Sequence, residues 1–177
     1  MWPNTNKQQT QQTGGNPPPG EDPFNRTANA TAREGGTYPD PGLYPVLYVD
    51  RLQMKRSRRN EDVFIASFDI VESKVPSRPA GTQMDWVVNY RHDASPGNVK
   101  AFFLAMMNLK DEDLDADGLR FAVSEDQPCR GRLVRMQATE QTTQAGGIFT
   151  ACNWTAIPDE IQNKADELRT AAGFAPF

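Results

Sequence analysis

Cysteine and histidine are nearly absent from this chain, and that scarcity removes several chemistries at the outset. Cys129, Cys152 and His92 are the only such residues. With one imidazole and no Cys-x-x-Cys pair, a structural zinc site has too few ligands. A Ser-His-Asp arrangement would depend on His92 alone, and no nucleophile-elbow motif accompanies it. Two isolated cysteines in a cytosolic chain are expected as small buried hydrophobes rather than as a disulfide. Long apolar runs are missing too: nothing approaches the roughly 18 residues that cross a bilayer. The opening Met1-Trp2-Pro3-Asn4 lacks a basic-then-apolar leader pattern, so a cytoplasmic location with no membrane partner is expected. The absences point away from an enzyme and away from any cofactor.

Apolar residues make up 37% of the chain, and the mean hydropathy is -0.67. Both are low for a compact protein, so part of the sequence is expected to lie outside the packed core. Residues 1–41 fit that part. They include Gln8-Gln9-Thr10-Gln11-Gln12 and Pro17-Pro18-Pro19-Gly20, with only Trp2, Phe24 and Tyr38 as large apolar side chains. Such a stretch buries too little surface to offset its conformational entropy and reads as a flexible arm.

Net charge is -4, which taken alone argues against a polyanionic partner. The distribution matters more than the sum. Residues 42–110 carry a net +3 and residues 127–157 a net +2, whereas residues 111–126 carry -6. The strand-rich parts are basic and the acid is concentrated in one connector. Local fields of this kind steer polyanions whatever the overall charge.

The pattern of residues 81–108 organises the rest. Met84, Trp86, Val88 and Tyr90 alternate with polar neighbours, the period of a strand. Val99, Phe102, Phe103, Met106 and Met107 then form one apolar helical stripe, with Ser95-Pro96 as a start signal. Before this stretch, strands are expected over residues 42–54 and 63–71, separated by the basic run Lys55-Arg56-Ser57-Arg58-Arg59. After it, Asp113, Asp115, Asp117 and Gly118 match the first half of a calcium loop, but Ser124 stands where the closing Glu belongs, so a solvated acidic turn is expected. Strands follow over residues 129–138 and 148–154, joined by the polar residues 139–147. A short helix is expected from Pro158 to the stop at Gly173.

The order is strand, strand, strand, helix, strand, strand. It predicts a mainly β protein, a five-stranded OB-like Greek-key barrel over residues 42–157 with one helix between strands three and four. Residues 158–177 form a C-terminal helix and tail. The fold's binding surface lies on strands two and three and the two flanking loops. Single-stranded nucleic acid needs cations along its phosphates and aromatic faces for its bases. The candidates in those places are Lys55, Arg56, Arg58 and Arg59 in the first loop, Phe64, Trp86 and Tyr90 on the strands, and Arg91, Arg132 and Arg135 beside them. Alternation alone leaves open whether Phe64 and Trp86 stack bases or fill the barrel, because several strands are apolar on both faces.

Further segments carry a resemblance. Gly42-Leu-Tyr-Pro-Val, Val63-Phe-Ile-Ala-Ser-Phe-Asp-Ile-Val-Glu-Ser, Trp86-Val-Val-Asn with His92-Asp93, Gly97-Asn-Val-Lys-Ala-Phe-Phe and Phe149-Thr-Ala-Cys-Asn-Trp154 resemble tailed-bacteriophage single-stranded DNA-binding proteins. The resemblance implies an OB-like core that coats single strands in the host cytoplasm during phage DNA replication or recombination. It also implies replication or recombination proteins as partners; a homo-oligomer is a further candidate assembly, the oligomeric state being left open by the sequence. One feature departs from the pattern: acids do not adjoin the terminal Phe177, the nearest being Asp166 and Glu167. The alternative expectation is a non-enzymatic virion or assembly protein that uses its N-terminal arm for subunit contacts.

Overall fold

The computed structural model of the chain describes residues 22–30, 39–144 and 146–176. Five strands form one antiparallel sheet: β1 (Gly42–Arg56), β2 (Asp62–Glu72), β3 (Gln83–Asn89), β4 (Leu133–Thr142) and β5 (Ile148–Ala156). Their spatial order is β3-β2-β1-β4-β5, so the first strand in sequence lies at the centre. The helices are α1 (Pro23–Asn29), α2 (Ser95–Met107), α3 (Ala116–Ala122), α4 (Asp159–Gln162) and α5 (Ala165–Ala171), with a 3₁₀ turn at Asp111–Asp113.

The expected mainly β architecture is present, but three features differ. The sheet is open: β3 and β5 are its two edges and share no ladder, so it is not a closed barrel. The connector between β3 and β4 holds two helices and a 3₁₀ turn where one helix was expected. Part of the arm expected to be flexible is also helical. Asp22 caps α1 and a proline opens it, and Phe24 and Ala28 pack onto the main core. Residues 1–21 and 31–38 of the arm, and the terminal Phe177, lie outside the described residues.

Core packing follows the register. Opposite one another on β2 and β3 stand Phe64 and Val88, Ala66 and Trp86, and Phe68 and Met84. All six side chains are buried. From α2, Phe102 and Phe103 enter the same space. Phe64 lies 5.9 Å from Trp86, 5.9 Å from Phe102 and 5.6 Å from Phe103, between ring centroids. Trp154 arrives from β5, with its ring 4.8 Å from Trp86 and 4.9 Å from Phe102. The sheet is therefore so curled that the rings of its two edge strands meet, although their backbones do not pair. Edge-to-face pairs of this sort add about 0.5–1.5 kcal/mol each beyond the area they bury.

The expected N-cap at Ser95 takes another form. Ala94 holds that position, while the Ser95 hydroxyl donates to the Asn89 carbonyl at 2.6 Å and ties the helix start to the end of β3. Asn108 ends α2 in the left-handed conformation (φ 52°), a geometry asparagine tolerates. Lys100, 4% exposed, reaches out of α2 to pair with Asp111 at 3.0 Å and to donate to Ala28 O at 3.1 Å. One buried cation thus joins α1, α2 and the acidic connector. Within that connector Asp115 caps α3 by accepting from Gly118 N at 2.7 Å, and Asp117 pairs with Arg120.

Strand β1 is bent and shared. Gly42–Tyr44 pair with β4 alone, Leu47 and Tyr48 pair with both β4 and β2, and beyond Tyr48 only the β2 ladder continues. A bulge at Asp50 marks the change, since Val49 faces Phe68 and Arg51 faces Ser67. Where β4 leaves off, the Gln127 side chain replaces it: Oε1 accepts from Leu52 N at 2.7 Å and Nε2 donates to Leu52 O at 2.9 Å. A side-chain amide has the same donor and acceptor pair as a peptide, so it can stand in for one residue of a strand.

Two expectations follow. Trp86→Ala removes a side chain that is 0% exposed and should cost about 3–5 kcal/mol in urea denaturation. Trp86→Phe should cost less, because the buried indole N–H it removes has no hydrogen-bond partner among the described residues. Burial pushes the Cys152 thiol up to about 12 and raises that of Cys129, so the thiolate form is scarce at both. Native protein at mildly alkaline pH should therefore react slowly with a disulfide-exchange reagent and quickly once unfolded.

Candidate functional site

The basic run lies at the β1–β2 hairpin. Lys55 and Arg56 close β1, two residues beyond its expected end, and Arg58 and Arg59 form the tip. All four side chains are exposed. The turn is held by its own polar atoms. Ser57 N donates to Glu61 O at 2.8 Å, Ser57 Oγ accepts from the Arg59 and Glu61 amides, and Asn60 takes the left-handed conformation at φ 58°. Arg56 pairs with Asp62 at 3.3 Å, but at 68% exposure this ion pair is loosely held. Lys55, Arg58 and Arg59 form no ion pair among the described residues.

Strand β3 brings a fifth cation to this end. Tyr90 N donates to Asp62 O at 2.9 Å, and Asn89 Nδ2 donates to Glu61 Oε2 at 2.6 Å, so the end of β3 is fastened to the hairpin. Arg91 follows immediately and is exposed, its Nε 3.1 Å from His92 Nε2. Lys55, Arg56, Arg58, Arg59 and Arg91 thus share one end of the sheet. Arg132 and Arg135 are exposed but elsewhere. Arg132 precedes β4, its carbonyl accepting from Val49 N at 2.8 Å, and Arg135 faces Thr155 across the β4–β5 ladder.

The aromatic half of the expected site is corrected. Phe64 and Trp86 are 0% exposed and Tyr90 is 2% exposed. Phe64 and Trp86 belong to the ring cluster under α2. Tyr90 turns inward to hydrogen-bond Thr27 of α1, with the Arg26 guanidinium 5.6 Å from its ring. None of the three offers a face to a base. The reason is the register: even-numbered residues of β2 and β3 point to the helix side, and the aromatic residues fall on even positions.

The opposite face is formed by Val63, Ile65 and Ser67 of β2, Asp85, Val87 and Asn89 of β3, and Arg51, Gln53 and Lys55 of β1. None of these nine residues is aromatic. Its far half is covered by the C-terminal helices, where Val46, Tyr48, Leu133, Ile157 and Ala165 form a second apolar cluster. A buried ion pair pins the cover. Arg169 Nε lies 2.6 Å from Asp69 Oδ2, and its guanidinium sits 5.2 Å from the Tyr48 ring and 5.2 Å from that of Phe174. The other Asp69 oxygen accepts from Gln83 Nε2 at 2.8 Å.

Two surface features escaped the sequence reading. One is the β4–β5 hairpin, exposed around its turn, where Ile148 is 69% and Phe149 36% exposed. The turn signal was legible, but nothing in the sequence separates Phe149 from a core aromatic. The other is Arg51, exposed in the middle of β1 after an apolar first half. The consecutive charges Asp50-Arg51 are the signal, since they break the alternation where the bulge falls.

No protein-family model matches the chain, and no curated protein matches its sequence. Among the described residues no helix is long and apolar enough to cross a membrane, and no group of three or more potential ligands could hold a metal ion.

Arg169→Met should be strongly destabilising, because it leaves the Asp69 carboxylate, 0% exposed, without its cation. A loss of about 3–5 kcal/mol is expected, read as a lower denaturation midpoint at unchanged slope.

Proposed function

We propose that this protein is a non-enzymatic, sequence-tolerant binder of single-stranded DNA, acting in phage DNA replication or recombination. The observation that carries the reading is the exposed cation group at one end of the sheet, Lys55, Arg56, Arg58, Arg59 and Arg91. Five cations held together repel one another, and a chain of phosphates relieves that repulsion while releasing its counterions.

The frame supports the same reading. A strand order of β3-β2-β1-β4-β5, a shared and bent β1 and contact between Trp86 and Trp154 are what an OB-like barrel opened between its third and fifth strands would have. In that fold the loops between strands one and two and between strands four and five flank the binding face. Here the first bears the cations and the second bears Phe149 beside Ile148. With Phe64, Trp86 and Tyr90 committed to the core, Phe149, 36% exposed beside the second loop, is the aromatic we assign to stack a base. Phosphate contacts therefore supply most of the affinity, and base identity matters little.

Binding of a labelled oligo-dT should weaken steeply with salt, the logarithm of the affinity falling by about 0.7 per phosphate contact for each tenfold rise in salt. Charge reversal at Arg56, Arg58 and Arg59 together should flatten that slope by about 2 and weaken binding alike across sequences. Absence of binding at low ionic strength, or preference for duplex over single strands, would overturn the reading. Phe149→Ala should weaken oligo-dT by about 1–3 kcal/mol but leave an abasic oligomer unaffected.

A further inference from the structure

We infer that Arg51 is a phosphate contact at the middle of the interface, and that the bound strand leaves the cationic hairpin and runs along the uncovered half of the outer sheet face. The inference rests on the polyanion-binding reading above and extends it to a residue and a path.

The local geometry begins with the bulge. Asp50 is the extra residue, and inserting it re-aims the following side chain to the outer face. Asp50 itself is taken up by Arg130 at 2.8 Å. The bulge also falls where β4 leaves β1, and Gln127 takes over the edge only at Leu52. Two open clefts result, one on each side of Arg51. The first, about 330 Å³, is lined by Arg51, Gln53, Lys55, Ser124 and Glu125 among others. The second, about 490 Å³, is lined by Arg51, Ser67, Arg78, Gln83 and Asp85 among others. Arg51 is the residue common to both.

Charge bookkeeping singles out the same side chain. Three of the acids close to this face already hold cations: Asp50 with Arg130, Asp62 with Arg56 and Asp40 with Arg78. Arg51 and Lys55 form no ion pair among the described residues, and they stand on one strand face four residues apart. Six residue steps separate Arg51 from Ser57, where the turn begins, about 20 Å of extended chain. A cation at that distance continues the track that Lys55 and the hairpin begin. The remaining walls mix amides and hydroxyls with the apolar Met54, Val123, Phe68 and Met84. Asp85 and Glu125, unpaired among the described residues, stand in the two clefts and repel a backbone that strays from Arg51.

The far end of the path is fixed by the C-terminal cover. Gln83, a wall of the second cleft, is held by Asp69, the same carboxylate that anchors Arg169. A Cβ placed on Gly81 would come within 2.8 Å of Ala172 O, so the β2–β3 loop and the end of α5 are in close contact there. On this face the path we infer ends at the cover.

Fluorescence anisotropy with an oligo-dT of about 12 nucleotides, inside the roughly 4–16 that such folds occupy, tests the inference. Arg51→Ala should weaken binding and flatten the salt dependence by about 0.7 in slope, with an unchanged melting temperature. Arg51→Lys should restore the slope, and Asp85→Asn should tighten binding. An unchanged slope in Arg51→Ala, with the wild-type protein binding normally, overturns the path while leaving the hairpin reading intact. Failure of the wild-type protein to bind overturns both.

Discussion

The contact between Trp86 and Trp154 across the unpaired edges of the sheet is the constraint on which the rest of the molecule depends. An open five-stranded sheet could lie flat or curl, and what decides the matter here is packing rather than hydrogen bonds. Two indoles from opposite edges meet at 4.8 Å over Phe102 of α2. Because the side chains of β2 and β3 that serve this cluster must all point inward, every residue between them points outward. The composition of the outer face is thus set by the needs of the inner one. An uncovered half with arginine, lysine, aspartate, aliphatics and amides but no aromatic residue is the result.

The second constraint is the bend of β1. A strand that serves β4 with one part and continues alone beside β2 has an edge to satisfy where the two regimes meet. Gln127 supplies the missing amide, and the Asp50 bulge absorbs the change of direction. The same discontinuity opens the two clefts and leaves Arg51 between them. Structure and candidate function share one cause there: the defect in the ladder that curls the sheet also exposes the cation.

Much of the frame was legible in the sequence. Five strand-like segments in the right order, the helix stripe of Val99, Phe102, Phe103 and Met106, and the hairpin cations all follow from period and polarity. The errors have physical causes. Strand four was expected from Cys129, but residues 129–132 form a turn with Gly131 at φ 90°. Alternation cannot say which face is inside when both carry apolar residues, so Phe64, Trp86 and Tyr90 were equally compatible with stacking and with packing. The helix at α1 is short and weak in propensity. Its stability comes from partners distant in sequence, Tyr90 for Thr27 and Lys100 for Ala28. The cover over the second face was partly readable as a C-terminal apolar stripe, but the Asp69–Arg169 pair that fixes it joins residues 100 apart.

That separation has a consequence for how the molecule comes into being. The central strand is made first, yet its neighbour on one side, β4, is made late, and the indole that completes the inner cluster lies on the last strand. A growing chain therefore holds Phe64, Phe68 and Trp86 without their final partner through the 68 residue steps that separate Trp86 from Trp154, and it cannot complete the cover over Tyr48 until Arg169 has emerged. Non-local pairings of this kind make folding slow, because loop entropy is spent before contact energy returns. Assembly of the sheet waits for β5, and a chain that stops short of it keeps a sticky interior with no way to curl shut.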